Sequence, residues 1–89
     1  MNHAEIKEII SKLDSAIPKK DAEVAFRSFG ETAVYANQEG YLRLGIEFLK
    51  QAFNETGLNS DIEYLIDKNS DFSIDHFTIS KEQFDFISS

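Results

Sequence analysis

The apolar positions near the start of the chain repeat with the period of a helix. Five of them recur at every third or fourth residue, as on one helical face: Ile6, Ile9, Ile10, Leu13 and Ile17. Asn2 is placed to cap the start of this helix, and Glu5 to complete a capping box. Pro18 disfavours helical geometry at the residue before it. The pattern therefore predicts a first helix from about His3 to Ala16.

The next apolar positions alternate with a period of two, which favours β-strands. Gly30 followed by Glu31 suits a two-residue hairpin turn, so antiparallel strands are predicted over 22–29 and 31–37. This turn places Phe26 opposite Tyr35 and Arg27 opposite Val34. Residues 22–29 also fit a helical stripe, which leaves a helix as the alternative. Gly30 favours the strand, because glycine is costly inside a helix.

A second amphipathic helix is predicted from about Gln38 to Asn54, with Asn37 as its cap. Its main apolar stripe is predicted to face the core: Leu42, Gly45, Ile46, Leu49, Ala52 and Phe53, widened by Tyr41, Leu44 and Phe48. The remaining polar positions are predicted to face solvent: Arg43, Glu47, Lys50 and Gln51. On this prediction Leu49→Ala removes a core side chain and costs about 2–5 kcal/mol.

The C-terminal third contains two further apolar segments, 61–67 and 73–79, separated by a polar turn. They predict a second hairpin, although a capping-box pattern at 60–63 leaves a helix open for the first segment. Another capping box at 80–83 allows a short terminal helix that presents Phe84 and Ile87. The predicted fold class is α+β, as a single domain over 1–89. Its order is α-β-β-α-β-β, with a four-stranded, largely antiparallel sheet and helices on one face.

Charge narrows the expected partners. The 89 residues carry a net charge of −7 and no cysteine, which excludes disulfides and cysteine-ligated metals within the chain. An acidic field repels nucleic-acid phosphates and anionic membranes and attracts basic proteins. The simpler interpretation of this charge is that an acidic surface keeps a small cytoplasmic protein soluble. No apolar run approaches membrane-spanning length, and the start of the chain lacks the apolar core of a signal peptide. A cytoplasmic protein that binds neither nucleic acid nor membrane is expected.

Residues 67–78 resemble a calcium-binding loop of the EF-hand type. Oxygen-bearing side chains occupy four of the ligand positions: Asp67, Asn69, Asp71 and Asp75. Phe72 stands where the sharp turn requires glycine, and Thr78 stands where a bidentate glutamate closes the site. The sequence therefore predicts a polar turn that binds no calcium.

No sequence motif for catalysis stands out. The only histidines, His3 and His76, lack the spacing of a metal site, and no nucleophile or phosphate-binding motif occurs. We therefore expect a non-catalytic protein without a metal or cofactor. Partner contacts are predicted at exposed acids and one aromatic residue of the C-terminal half: Glu63, Tyr64, Asp67, Asp71 and Asp75. The alternative is a homodimeric structural or regulatory subunit, since a thin core and free sheet edges favour pairing.

The segment YANQEG, residues 35–40, is followed by regularly spaced Leu42, Ile46, Leu49 and Ala52. This pattern resembles small immunity proteins of bacterial polymorphic-toxin systems, in which a strand ends in such a turn and a helix follows. The resemblance covers about 33–79, and includes a later strand, TISK, after a Ser-Asp turn at 70–71. This chain departs from the pattern by its additional first helix. The resemblance implies a non-catalytic protein that neutralises a toxin by binding it, with an acidic member covering a basic nuclease cleft.

Overall fold

The computed structural model describes residues 2–88, and its regular elements are three α-helices and two strands. Helix α1 spans His3–Ala16, strand β1 Val24–Ser28, strand β2 Thr32–Ala36, helix α2 Gln38–Gln51 and helix α3 Lys81–Ser88, with a 3-10 turn over Asn54–Thr56. The strands form one antiparallel pair. The fold class is α+β, but the predicted four-stranded sheet is wrong, because residues 61–67 and 73–79 form no hairpin.

Helix α1 has the predicted bounds and the predicted cap. Asn2 Oδ1 accepts a hydrogen bond from the Glu5 backbone N–H at 2.9 Å. The helix ends at Ile17, which has an extended backbone (φ −99°, ψ 115°) directly before Pro18. The same proline effect that predicted this boundary therefore accounts for it.

The first hairpin is present, but its register differs by one residue from the prediction. Gly30 has a φ of 84° and lies at the middle of a three-residue loop between Ser28 and Thr32. A two-residue turn at 30–31 had been expected. Phe26 therefore pairs with Val34 rather than Tyr35, and Arg27 pairs with Ala33 rather than Val34. Glycine at a positive φ suits either loop length, so glycine alone could not determine the register.

Residues 61–71 attach to β1 instead of forming their own hairpin. The Val24 N–H donates to the Leu65 carbonyl at 3.3 Å, and the Asp67 N–H donates to the Val24 carbonyl at 2.8 Å. Farther along, the Asp71 N–H donates to the Phe26 carbonyl at 2.8 Å. The buried side chains of this segment are Ile62 and Leu65, three positions apart, whereas a strand alternates its faces every two residues. The strand predicted over 61–67 from period-two alternation is therefore wrong.

The core lies between the hairpin, α2 and the 62–72 segment. Its buried members are Val24, Phe26, Leu44, Ile62 and Leu65. Phe72 closes one margin by stacking on Phe26, with ring centroids 5.3 Å apart. Helix α1 runs antiparallel to α2, since His3 at its start contacts Phe53 while Asp14 near its end contacts Arg43. The core is small, as expected for a chain of this length.

The C-terminal helix α3 lies apart from this core. Ser80 caps it reciprocally with Gln83: Ser80 Oγ accepts from the Gln83 N–H, and Gln83 Oε1 accepts from the Ser80 N–H. This is the predicted capping box. Every described residue of α3 is exposed. Because α3 begins at Lys81, the strand expected at TISK is wrong. The expected succession of a strand and a helix around residue 37 is present as β2 and α2.

Candidate functional site

Helix α2 is rotated relative to the prediction, so that its polar side is buried. Arg43 is 0% exposed and Glu47 1%, and Lys50 is also buried. Leu42 and Leu49, which were predicted to face the core, are 45% and 46% exposed. The prediction of the buried face of α2 is therefore wrong, although Leu44 and Ile46 are buried as expected.

Gly40 accounts for the rotation of α2. A Cβ atom at this position would lie 2.2 Å from the carbonyl oxygen of Glu23, so only glycine allows the helix to approach the start of β1 so closely. Asn37 secures the same contact, since its Oδ1 accepts from the N–H groups of Gly40 at 2.7 Å and Glu23 at 3.0 Å. Residues three and four positions later share the face of Gly40. Gly40 in the first turn was thus the sequence signal that could have predicted which side of α2 is inside.

Arg43 lies at the centre of a polar cluster between α1, α2 and residue 64. Its Nη2 lies 2.6 Å from Asp14 Oδ1 and 2.8 Å from Glu47 Oε2. Its Nη1 donates to the backbone carbonyls of Asp14 and Ile17, and its Nε donates to Tyr64 Oη at 3.0 Å. These contacts use the five donors that a guanidinium group has. Arg43 therefore also satisfies carbonyl groups at the end of α1, which otherwise lack helical partners.

Glu47 is the second centre of this cluster. Tyr64 Oη donates to its Oε2 at 2.6 Å, and the Asp61 backbone N–H donates to its Oε1 at 3.0 Å. Lys50 lies 2.9 Å from Asp14 and 3.6 Å from Glu47. No buried side-chain nitrogen or oxygen in the described part of the chain lacks a hydrogen-bond partner. The contacts of this cluster hold α1, α2 and Tyr64 together.

The protonation states follow from these contacts. Burial by itself would raise the pKa of Glu47, but hydrogen bonds from Tyr64 and Asp61 and the cations Lys50 and Arg43 hold it below its ordinary value. Burial of Asp14 is likewise outweighed by Arg43 and Lys50, so its pKa is lowered. Burial and the hydrogen bond to Glu47 raise the pKa of Tyr64 to about 12. At neutral pH the cluster thus contains two carboxylates, two cations and a neutral phenol.

The predicted partner-binding residues are divided among three places. Tyr64 belongs to the buried cluster through its hydroxyl group. Asp67 and Asp71 lie beside Arg27, at 3.5 Å and 3.9 Å, and the Asn69 carbonyl also accepts from that guanidinium group. Three residues of the calcium-like loop thus surround a side chain that is already a cation.

Glu63, Asp67 and Asp75 lie together along a cleft of about 510 Å³. Glu63 and Asp75 are exposed, and neither carboxylate forms an ion pair with any residue in 2–88. Tyr64 lines a different cleft, of about 840 Å³, which lies over Ala25 and Tyr35 on the hairpin. Asp67 links these places, because it shares one cleft with Glu63 and Asp75, the other cleft with Tyr64, and Arg27 with Asp71.

The exposed side of the helix pair is apolar, and we call it the outer face. It consists of Ile9 and Leu13 on α1 and of Tyr41, Leu42, Gly45, Phe48, Leu49 and Ala52 on α2. Its six large side chains are each 39–54% exposed. Asp14 meets Arg43 and Lys50 on the side of α1 that faces the core. The helical period therefore places Ile9 and Leu13 on the same outward side as Leu42 and Leu49. Sequence reasoning missed this surface, because it assigned the same apolar stripe to the core.

Comparison with known proteins adds no relative. No family model matches the chain, and neither a curated protein nor a solved structure matches it. Within residues 2–88, no helix is long and apolar enough to cross a membrane.

Proposed function

We propose that this protein is a non-catalytic module that binds another protein through the outer face. The observation that carries the proposal is the exposure of six large apolar side chains on one side of the helix pair. With aromatic side chains at about 150–250 Å² each when whole and aliphatic ones smaller, these half-exposed groups present roughly 400–500 Å². A contiguous apolar patch of this size is comparable to the largest patch on a typical monomer, and such patches are often functional. The polar residues that would normally cover such a helix side lie inside the protein.

The partner we propose is basic. Residues 61–89 carry seven acidic residues and two lysines, a net of −5. Glu63 and Asp75 are exposed without ion pairs among the described residues, so their charge is available to a partner. Acidic groups around an apolar contact accelerate association with a basic surface and align the two proteins. The apolar outer face then supplies most of the buried area, while the acids determine which partners approach.

Within this proposal we place the chain among small immunity proteins of bacterial toxin systems, acting in the cytoplasm by covering a toxin's basic cleft. Support comes from the 35–40 segment, in which β2 passes directly into α2 through the Asn37 cap.

The test begins with proteins encoded beside this chain, because a toxin and its immunity protein are expected to be neighbours. A basic neighbour should bind the purified chain with a Kd below about 1 µM, and its association rate should fall as salt rises. Leu49→Glu should weaken binding at least about a hundredfold, since it places a charge in the apolar contact. Cells that make the neighbour should survive when they also make this protein.

Phe29→Glu is the matched control. Phe29 is exposed, lies at the hairpin tip outside the outer face, and undergoes the same change of charge. Binding that tolerates Leu49→Glu as well as Phe29→Glu does would refute the outer face as the contact surface. Failure of every basic neighbour to bind would refute the immunity interpretation.

A homodimeric structural or regulatory subunit is the second candidate. The observation in its favour is the free edge of β2, which carries no charged residue.

A further inference from the structure

The outer edge of β1 is covered by the 65–71 segment. Val24 and Phe26 exchange hydrogen bonds with the 65–71 segment, and the Ser28 N–H donates to Asp71 Oδ2 at 2.9 Å. The backbone groups of these three residues therefore point away from β2. Their cross-strand partners are Ala36, Val34 and Thr32. In an antiparallel pair, residues that do not bond to each other direct their N–H and C=O groups to the two outer edges. Thr32, Val34 and Ala36 thus direct theirs to the free edge of β2.

Within residues 2–88, a single hydrogen bond protects this free edge. The Tyr41 hydroxyl donates to the Val34 carbonyl at 3.3 Å, and the other outward groups of Thr32, Val34 and Ala36 have no partner there. Natural edge strands are usually protected by lysine, proline, a bulge or a covering element. The strand sequence TAVYA contains neither lysine nor proline, and all five of its residues pair in regular register with β1.

We propose that β2 pairs antiparallel with β2 of a second copy of this chain, about a twofold axis at Val34. In that register Val34 pairs with its counterpart, and Thr32 pairs with Ala36 of the second copy. Each is a hydrogen-bonded pair, because these residues have their N–H and C=O groups directed outward. Ala33 lies across from Tyr35 of the second copy, which gives each ring a small neighbour.

Charge favours a second copy over a basic protein at this edge. The five residues of β2 are uncharged, so the edge offers no acid to a basic strand. In the twofold register Glu31 lies across from Asn37 of the second copy, so no two like charges are directly opposed. The net charge of −7 opposes the approach of two copies at long range. Salt screens that repulsion, so the dimer should strengthen as salt rises, in contrast to binding of a basic partner.

The proposal deepens the second candidate function and does not rest on the immunity interpretation. Its surface adjoins the outer face at Tyr41, whose hydroxyl donates to the Val34 carbonyl. Tyr41 is the one outer-face residue with a hydrogen bond to β2 in the described part of the chain, and Leu49 has none, so either interaction can fail while the other holds. Leu49→Glu is therefore expected to abolish binding of the partner without changing the dimer. Variants of β2 should have the reverse effect.

The experiment is sedimentation equilibrium of the full chain up to about 1 mM, with amide exchange measured in parallel. We expect reversible association with a Kd of about 10–500 µM, as suits a short strand pairing. Exchange at Thr32, Val34 and Ala36 should slow as concentration rises. Exchange at Ala33 and Tyr35, whose amides face β1, should not change.

Val34→Pro removes one outward N–H and should weaken the dimer at least tenfold, while the N–H groups that face β1 are retained. Val34→Lys places two like charges opposite each other at the twofold axis and should also weaken the dimer. It serves as the test if the proline variant does not fold. Tyr41→Phe removes the hydrogen bond that the Tyr41 hydroxyl donates to the Val34 carbonyl. Because that carbonyl is then free to pair, the variant should strengthen the dimer about threefold to tenfold. A monomer at all concentrations overturns the proposal. So does a dimer that Leu49→Glu disrupts and the Val34 variants leave intact.

Discussion

Arg43 Nη2 lies 2.6 Å from Asp14 Oδ1, and this contact joins α2 to the last turn of α1 inside the protein. The arginine side chain is fully excluded from solvent, while the aspartate is partly exposed. Burying a charge is costly unless it is paired and hydrogen-bonded, and here each guanidinium donor has an acceptor. The polar cluster therefore stabilises one packing of the two helices and leaves their apolar residues outside.

Arg43→Ala should be strongly destabilising. It leaves Glu47 buried without its closest cation and removes the donors that satisfy carbonyls at the end of α1. Breaking a buried ion pair by removing one partner typically costs about 3–5 kcal/mol, which urea denaturation would measure as a lower midpoint. Lys12→Ala is the control, because its ion pair with Glu8 is well exposed and contributes only about 0–1 kcal/mol. Equal effects of the two substitutions would show that Arg43 is not buried.

Leu49→Ala and Ile46→Ala should differ, although both residues belong to the apolar stripe of α2. Ile46 is 3% exposed and Leu49 is 46% exposed. The first substitution should cost about 2–5 kcal/mol, as for deletion of a core side chain, and the second under about 1 kcal/mol. Thermal or urea unfolding of the monomer measures both values. A larger loss of stability from Leu49→Ala than from Ile46→Ala would contradict the observed orientation of α2 and support the one predicted from the apolar stripe.

Gly40→Ala and Gly45→Ala form a second matched pair on the same helix. A Cβ at Gly40 would collide with the Glu23 carbonyl oxygen, whereas a Cβ at Gly45 would meet no atom within 4 Å beyond its own stretch of helix. Gly40→Ala should therefore separate α2 from β1 and lower stability, by about 1–3 kcal/mol for an overpacked contact. Gly45→Ala should raise stability by up to about 1 kcal/mol, because alanine is the better helix former. A loss of stability from Gly45→Ala would contradict the exposed placement of Gly45.

Stability should fall at both extremes of pH through the polar cluster. The pKa of Tyr64 is raised to about 12, from an ordinary 10.0, so its contribution is present below pH 10 and is lost as pH rises toward 12. The pKa values of Asp14 and Glu47 are lowered, so their contributions are present above the ordinary carboxyl pKa and disappear as pH falls below it.

Urea midpoints measured from pH 9 to pH 12, for the native chain and for Tyr64→Phe, isolate the alkaline part of this dependence. The native chain should lose more stability over this range than the variant, which lacks the titrating phenol. Parallel curves would mean that the Tyr64 hydroxyl does not donate to Glu47.

Local signals predicted most of the regular elements. Proline at 18, the Asn2 and Asn37 caps and the Ser80 capping box determine helix ends through interactions within a few residues, so they could be read directly. The glycine at position 30 likewise located the first turn, and the structure gives it a positive φ. Each of these features depends only on residues that lie close together in the sequence, so the sequence alone was enough to predict them.

The predictions that were wrong concern features that depend on contacts between residues far apart in the sequence. Residues 61–71 bond to β1, some 40 positions earlier, and this pairing replaced the expected second hairpin. The rotation of α2 depends on the contact of Gly40 with Glu23 and on Arg43 meeting Asp14. An apolar stripe indicates which side of a helix favours burial, but the charged partners available on neighbouring elements decided the outcome here.

The outward orientation of the apolar stripe is the claim on which the proposed function depends. It can be tested on the unmodified protein by adding a soluble paramagnetic chelate and measuring relaxation of side-chain methyl groups by NMR. The methyl groups of Leu42 and Leu49 should relax strongly, as exposed groups do, and those of Ile10 and Ile46 should be protected. Dilution below the dimer range keeps the measurement on the monomer. Protection of Leu42 and Leu49 equal to that of Ile46 would contradict the account and remove the outer face as a binding surface.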